Sequence, residues 1–83
     1  MKLLYFAWLR TKIGAASEDV TLPAEVTDVS GLMVWLASRG PSYAEALANP
    51  AIVRVAVNQE YVATDHPVAA GDEVALFPPV TGG

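Results

Sequence analysis

The chain has 83 residues, of which 53% are hydrophobic and 17% charged, and its formal net charge is −4. A chain of this length forms one small domain with a modest core, so part of its apolar surface should face outward. It contains no cysteine, which excludes disulfides, thiolate catalysis and cysteine-bound metals. Its five cations form no basic run, so we expect no nucleic-acid binding and favour a partner with a basic face.

The N-terminal segment from Lys2 to Leu9 is rich in aromatic and aliphatic residues and predicts a β-strand. Both of its alternating faces are apolar, so one should pack on the protein's own helix and the other on a second layer or a partner. Gly14 marks a turn, and Asp19 to Leu22 predicts a second strand in a hairpin with the first. The apolar run is too short to cross a bilayer, and no small-residue cleavage site follows it. We therefore expect a cytoplasmic protein with no membrane partner.

The middle of the chain predicts the main helix. Asp28 is a suitable N-cap, and the apolar residues after it follow the i, i+3, i+4, i+7 spacing of one helical face. These residues are Val29, Leu32, Met33 and Leu36. Gly40 should end this helix, and a second short helix is expected between Pro41 and Ala48.

The C-terminal half predicts three strands. Ile52 to Val57 alternates as a half-buried strand, Tyr61 and Val62 form a brief one, and Glu73 to Phe77 forms the last. The first and last strands are the most apolar, so they can pair side by side at the centre of a mixed sheet. We therefore predict an α+β fold of the β-grasp type, with one main helix packed on one face. The predicted domain spans residues 1–78, and residues 79–83 are expected to form a flexible tail.

The tail itself is the most informative segment. Together with the last residue of the domain, it reads Pro78-Pro79-Val80-Thr81-Gly82-Gly83. Glycine has no Cβ, so such an end can pass through a narrow channel, while the prolines stiffen the stem before it. This pattern favours an α-carboxylate that is presented to another protein. The alternative is an ordinary frayed terminus.

Nothing inside the domain predicts an enzyme active site. His66 is the single histidine and sits in a turn-like setting, without the oriented partner of a general base or the further ligands of a metal site. The neighbouring carboxylates Asp72 and Glu73 should point to opposite faces of a strand. We interpret these residues as turn and surface groups, and we expect no metal.

Three aromatic residues predict a partner-binding surface. Pairing of the first and last strands would bring Phe6, Trp8 and Phe77 close together on the face away from the main helix, next to Pro78 and the tail. Aromatic residues are favoured anchors at the centres of interfaces. The alternative is that the segment Pro41–Ala48 covers them. Three cations could either line the exit of the tail or simply be solubilising charges: Arg10, Lys12 and Arg54.

These features resemble a known family. The run Gly71–Gly83, which reads GDEVALFPPVTGG, is similar to the C-terminal signature of the small, sulfur-carrier subunits of molybdopterin synthase. The segments Asp65–Val68, Ala56–Tyr61 and Leu4–Arg10 fit the same family, so the resemblance covers essentially the whole chain. Family members often carry a second aromatic residue where this chain has Leu76.

The resemblance implies a ubiquitin-like β-grasp fold and a role as a protein co-substrate that is not catalytic alone. An E1-like adenylyltransferase would use ATP and Mg²⁺ to adenylate the carboxylate of Gly83, and a sulfurtransferase would supply the sulfur of a thiocarboxylate. Residues Pro79, Val80, Thr81 and Gly82 would thread into the large catalytic subunit, where sulfur passes to cyclic pyranopterin monophosphate. The chain itself would bind no cofactor, and the assembly would be a heterotetramer.

Other functions remain open at this point. A carrier for thiamine thiazole synthesis or a related sulfur relay would share the Gly-Gly ending. A ubiquitin-like modifier would join the same terminus to lysines, although this chain has only Lys2 and Lys12 for self-linked chains. A plain interaction module would have an inert tail.

Overall fold

The computed structural model describes residues 1–79, and its centre is a single five-stranded mixed sheet. The strands are β1 (Lys2–Tyr5), β2 (Ser17–Asp19), β3 (Arg54–Val57), β4 (Glu60–Val62) and β5 (Glu73–Phe77). Their order is β2-β1-β5-β3-β4, with β1 and β5 parallel at the centre and the other neighbouring pairs antiparallel. This confirms the predicted central pairing of the first and last strands.

Three α-helices accompany the sheet, namely α1 (Ala7–Ile13), α2 (Val29–Ala37) and α3 (Pro41–Ala46), and a 3₁₀ turn at Pro50–Ile52 leads into β3. Helix α2 begins as predicted, because the Asp28 carboxylate accepts a hydrogen bond from the N–H of Gly31 at 2.7 Å. All four residues of its predicted apolar stripe are buried. The longest of these helices has nine residues, and within residues 1–79 no helix has the length and apolarity needed to cross a membrane.

The core lies between the sheet and these helices. On the two central strands, Leu3 pairs with Val74 and Tyr5 pairs with Leu76, and all four side chains are buried. Side chains alternate between the two faces of a strand, so Leu4, Ala75 and Phe77 lie on the other face of the sheet. The element order, the central parallel pair and the helix packed on one face confirm the predicted α+β, β-grasp fold.

The predicted strand from Lys2 to Leu9 is wrong beyond its first half. The strand ends at Tyr5, and the chain turns at once into α1, which the sequence reading missed. The apolar run from Phe6 to Leu9 is compatible with a strand that is covered on both faces and also with a short helix. Hydrophobic periodicity alone therefore cannot distinguish the two structures. Gly14 ends this helix with φ 87° and donates its N–H to the carbonyl of Arg10 at 2.9 Å. The second strand also differs from the prediction, at Ser17–Asp19 rather than Asp19–Leu22.

The turn between β3 and β4 has an unusual backbone. Asn58 and Gln59 both have positive φ, 51° and 71°, which is the pattern of a two-residue type I′ turn. Asparagine tolerates this conformation, and its side chain is held here by Asp72 at 3.0 Å and by the N–H of Glu73 at 3.0 Å. Gln59 makes no such side-chain hydrogen bond within residues 1–79 and occupies the position that usually carries glycine.

We expect Gln59→Gly to stabilise the protein by about 0.5–1 kcal/mol, because glycine removes the steric cost of a left-handed residue. For a domain of this size the gain corresponds to a rise of roughly 2–8 °C in the melting temperature, which calorimetry can measure. Asn58→Gly is the matched control and should lower the melting temperature, since it removes both side-chain hydrogen bonds. An unchanged or lower melting temperature for Gln59→Gly would contradict the prediction.

Candidate functional site

The sheet face opposite the helices carries a cluster of aromatic and small residues. The register places Ala56 of β3 between Tyr61 of β4 and Ala75 of β5, so these three side chains share the outer face. Phe77 follows Ala75 by two residues on the same face of β5. Phe6 continues this face from β1, since its N–H still bonds to β5 through the carbonyl of Leu76 at 3.1 Å.

Together these residues form a shallow apolar depression of about 420 Å³, which we call the outer depression. Its lining residues are Phe6, Ala56, Tyr61, Ala75, Phe77 and Pro78. Its aromatic rim is accessible, because Phe6 is 49% exposed and Tyr61 81% exposed. The rings of Tyr61 and Phe77 lie 5.4 Å apart between centroids. An apolar depression with an exposed aromatic rim is typical of protein-binding surfaces.

The outer depression leads directly to the predicted tail. Strand β5 ends at Phe77, Pro78 lines the depression, and Pro79 lines an adjoining groove of about 280 Å³ with Arg54. A partner seated on the depression would therefore stand where the tail leaves the domain. The remaining residues of the predicted tail, Val80, Thr81, Gly82 and Gly83, lie outside the described residues.

The structure does not bring Trp8 to this surface. Trp8 lies on α1 and is half-buried against the core, whereas Phe6, Phe77 and Pro78 line the depression together. The predicted cluster of Phe6, Trp8 and Phe77 is therefore wrong in its placement of Trp8. The reason is the early end of β1, because a strand running on to Leu9 would have put residues 6 and 8 on the same face.

The alternative cover for the aromatic residues is also excluded for the described chain. Helix α3 packs against α1 and α2, on the helical side of the sheet.

The three candidate cations lie in two different places. Arg10 and Lys12 lie on α1, with the Lys12 ammonium 4.0 Å from the Glu45 carboxylate, whereas Arg54 pairs with Phe77 across the outer face.

The sequence reading missed part of the outer depression. The sequence predicts Tyr61 only as part of a brief strand, whereas in the described chain Tyr61 is the most exposed of the large hydrophobic residues. The sequence does contain a signal for the position of Tyr61, namely the length of the turn between β3 and β4. A two-residue turn at Asn58 and Gln59 pairs Val57 with Glu60, and this in turn sets Tyr61 opposite Ala56 on the outer face.

The candidate acid groups are structural, as interpreted from the sequence. Hydrogen bonds from the Asn58 side chain and the Ala69 N–H hold the pKa of Asp72 below its usual range. Asp72 thus fastens the β3–β4 turn to the loop before β5. Across residues 1–79 no three His, Asp or Glu side chains gather in an arrangement that could hold a metal ion.

A polar cluster around Glu18 is the second feature that sequence reasoning missed. The hydroxyls of Tyr5 and Tyr43 donate to the same Glu18 carboxylate oxygen at 2.7 and 2.8 Å, and the Arg39 guanidinium lies 3.2 Å from it. The guanidinium also lies over the rings of Trp35 and Tyr43. This cluster ties β1 and β2 to the region where α2 ends and α3 begins.

Burial and these bonds act in opposite directions on the carboxyl. Burial favours its neutral form, but the hydrogen bonds from Tyr5, Tyr43 and Arg39 outweigh that effect, so the pKa of Glu18 is lowered. Burial and the bond to Glu18 both raise the pKa of the Tyr5 hydroxyl. The ionised carboxylate is therefore the form that the folded protein stabilises.

We expect Glu18→Gln to lower the free energy of unfolding at pH 7 by about 1.5–3 kcal/mol, because it weakens hydrogen bonds to a charged acceptor. Since folding lowers the pKa of Glu18, its contribution is present above the unfolded pKa of about 4.3 and is lost as pH falls through the folded value. Urea unfolding at pH 7 and pH 3 should therefore show the gap between wild type and variant closing in acid. Glu45→Gln, at an exposed ion pair, is the control and should change little. A gap that persists unchanged in acid would contradict this assignment.

Comparison with known proteins extends over the whole chain. Residues 3–83 match the model of the ThiS family. The molybdopterin synthase sulfur carrier subunit of Escherichia coli is 41% identical over 83 residues, covering 100% of this chain and 99% of the relative. The subunit of the same name from Haemophilus influenzae is 35% identical over 83 residues, with the same coverage.

Solved structures share the fold. A Pyrococcus furiosus protein superposes with a TM-score of 0.77 at 33% identity, covering 95% of each chain. The small archaeal modifier protein 1 of Haloferax volcanii gives 0.68 at 26% identity, covering 96% of this chain and 97% of its own. A chain in the complex of subunits 1 and 2 of the Helicobacter pylori molybdopterin-converting factor gives 0.64 at 22% identity, covering 99% and 96%. The fold is thus the ubiquitin-like β-grasp, and with the family model matched over residues 3–83, the chain belongs to the ThiS family.

Proposed function

We propose that this protein is the sulfur-carrier subunit of a molybdopterin synthase. The observation that carries the proposal is the match of relatives with that name over the entire length of the chain, at up to 41% identity. The match includes the segment from Phe77 to Gly83, which carries the proposed chemistry. In this role the protein is a co-substrate, and the large subunit supplies the catalytic site.

The geometry of the described residues supports docking to that large subunit. The outer depression offers an apolar surface lined by the exposed rings of Phe6 and Tyr61 and the half-buried ring of Phe77. Strand β5 carries this surface directly to Pro78 and Pro79, so docking and delivery of the tail are coupled through one strand. From Pro79 to Gly83 an extended chain reaches at most about 16–18 Å, enough to enter a pocket in a docked partner.

The proposed chemistry begins at the Gly83 carboxylate. A carboxylate is a poor electrophile, so an E1-like enzyme first joins it to AMP, with loss of pyrophosphate from MgATP. The terminal sulfur of a sulfurtransferase persulfide then displaces AMP, and a thiol reductant cleaves the resulting acyl disulfide to leave a thiocarboxylate. That sulfur attacks cyclic pyranopterin monophosphate in the large subunit, and water then cleaves the acyl–sulfur bond and returns the Gly83 carboxylate. Two such transfers give one dithiolene. The chain needs no cysteine for this, which fits its composition. Because activation consumes ATP, we place it in the cytoplasm.

Intact-protein mass spectrometry tests the proposal. The chain is incubated with an E1-like adenylyltransferase, MgATP, a sulfurtransferase, cysteine as the sulfur source and a thiol reductant. Replacement of one oxygen by sulfur adds about 16 Da, and the loaded protein should then convert cyclic pyranopterin monophosphate when the large subunit is added. No mass gain under conditions that load the Escherichia coli carrier would refute the proposal.

A ubiquitin-like modifier is the second candidate, and the likeness to the Haloferax volcanii modifier protein favours it. The two functions differ in the fate of the activated Gly83 carboxyl. A modifier would form an isopeptide bond with a lysine of another protein, whereas a carrier would release its carboxylate again after sulfur transfer. Digestion of cell extracts with a protease that cleaves after glutamate, followed by a search for lysines that carry residues 74–83 of this chain, distinguishes them, because Glu73 is the last glutamate before the terminus. The sulfur carrier is the stronger candidate, because the curated relatives that match over the whole chain carry that name.

A further inference from the structure

The chain reverses direction between β1 and α1 at a residue with a left-handed backbone. Ala7 has a φ of 54°, whereas Phe6 just before it is extended, with φ −125° and ψ 155°. Residues with a Cβ rarely adopt such angles, because the Cβ then lies too close to a carbonyl oxygen, and glycine usually takes these positions. Ala7 therefore keeps a strained conformation where glycine would relieve it.

At this reversal both backbone polar groups of Phe6 are hydrogen-bonded. The Phe6 N–H donates to the carbonyl oxygen of Leu76 on β5 at 3.1 Å, and the Phe6 carbonyl oxygen accepts from the N–H of Leu9 at 3.2 Å. Phe6 is thus the last residue to follow the outer face of β1, and its ring lines the outer depression. Helix α1 then carries Leu9 into the core, where it is fully buried. The place of the Phe6 ring depends on a reversal at residue 7.

We infer that Ala7 is a positioning residue for partner docking, whose left-handed conformation holds the Phe6 ring at the edge of the outer depression. This inference rests on the proposed function, because it takes the depression as the surface that binds the large subunit. Backbone strain persists where the surrounding structure over-determines the chain, and such places cluster at binding sites. Glycine would adopt the same φ without strain, but it would also let the Phe6 segment sample other conformations that binding must then remove.

The variant Ala7→Gly separates positioning from stability. Its melting temperature should stay unchanged or rise, because the strain is removed. Its Kd for the purified large subunit should increase roughly two- to fivefold, the effect of the conformational entropy that glycine adds to a chain. A purely structural role would move stability and affinity in the same direction. Ala70→Gly, at an exposed loop alanine, is the matched control and should leave the Kd unchanged.

A double-mutant cycle completes the test. In a Phe6→Ala background, Ala7→Gly should no longer change the Kd, because the ring that it positions is gone. A Kd for Ala7→Gly equal to that of wild type, or an equal loss in the Phe6→Ala background, overturns the inference and leaves the proposed function standing. Failure of the wild-type chain to bind the large subunit overturns the proposed function itself, so the two failures are distinguishable.

Discussion

Removal of Gly82 and Gly83 is expected to abolish sulfur loading completely while leaving the folded domain unchanged. The reactive carboxylate of the proposed chemistry belongs to Gly83, and Gly82 gives the tail the thin profile that a narrow channel requires. The core of the described chain is complete by Leu76, so the deletion removes none of its buried contacts. Intact mass spectrometry should show no gain of about 16 Da, and the circular dichroism spectrum and melting temperature should match those of wild type.

The same truncated chain should act as a competitive inhibitor. It retains every residue that lines the outer depression, so it should bind the large subunit with an affinity close to that of the full chain. Added to a reaction with loaded wild-type carrier, it should raise the apparent KM without changing kcat. Retained sulfur loading in the truncated chain would show that Gly83 is not the carrier residue, and truncation without inhibition would show that the tail itself makes most of the binding energy.

Much of this fold could be predicted because local patterns and long-range pairing agree. The Asp28 cap and the apolar stripe after it define α2 by themselves, and the burial of that stripe follows from its spacing. The central pairing of β1 with β5 follows from their composition, since strands with two apolar faces belong in the middle of a sheet. Consistency between these levels is what specifies a single structure.

Helix α1 could not be predicted because its start depends on a contact distant in sequence. The run from Phe6 to Leu9 is equally compatible with a strand and with a helix. What decides is the left-handed Ala7, together with the bond from the Phe6 N–H to the carbonyl of Leu76, 70 residues further along the chain. The local sequence indicates neither the left-handed backbone of Ala7 nor this hydrogen bond. Alanine is a good helix former and does not by itself predict a positive φ. The error moved Trp8 to the wrong side of the sheet.

The Glu18 cluster escaped prediction for a related reason. Tyr5 reads as one more apolar residue in an apolar strand, and its hydroxyl finds Glu18 only because β1 and β2 pair. Tyr43 approaches the same carboxylate from a helix 25 positions away in sequence. Polar partners that meet only in the folded chain leave no periodic signal, whereas apolar stripes do.

Phe77→Ala is expected to weaken binding of the large subunit more than any other single truncation in the outer depression. Its ring stands between the aromatic rim and the start of the tail, and it packs 5.4 Å from the Tyr61 ring. Aromatic anchors at interface centres contribute about 2–4 kcal/mol, so the Kd should rise roughly 30- to 1,000-fold. Titration calorimetry with the purified large subunit measures this change directly.

The fold should survive this substitution, which makes the result interpretable. Phe77 lies on the outer face and is not a member of the buried core cluster, so its removal opens no cavity in the core. Its ring contact with Tyr61 contributes about 0.5–1.5 kcal/mol beyond the area that it buries. Val34→Ala is the matched control, since Val34 is 71% exposed and apolar but lies on α2, across the sheet from the depression. If Val34→Ala weakens binding and Phe77→Ala does not, the large subunit docks on the helical side. Strand β5 would then no longer couple docking to delivery of the tail, and the reactive end would have to reach its pocket around the edge of the domain.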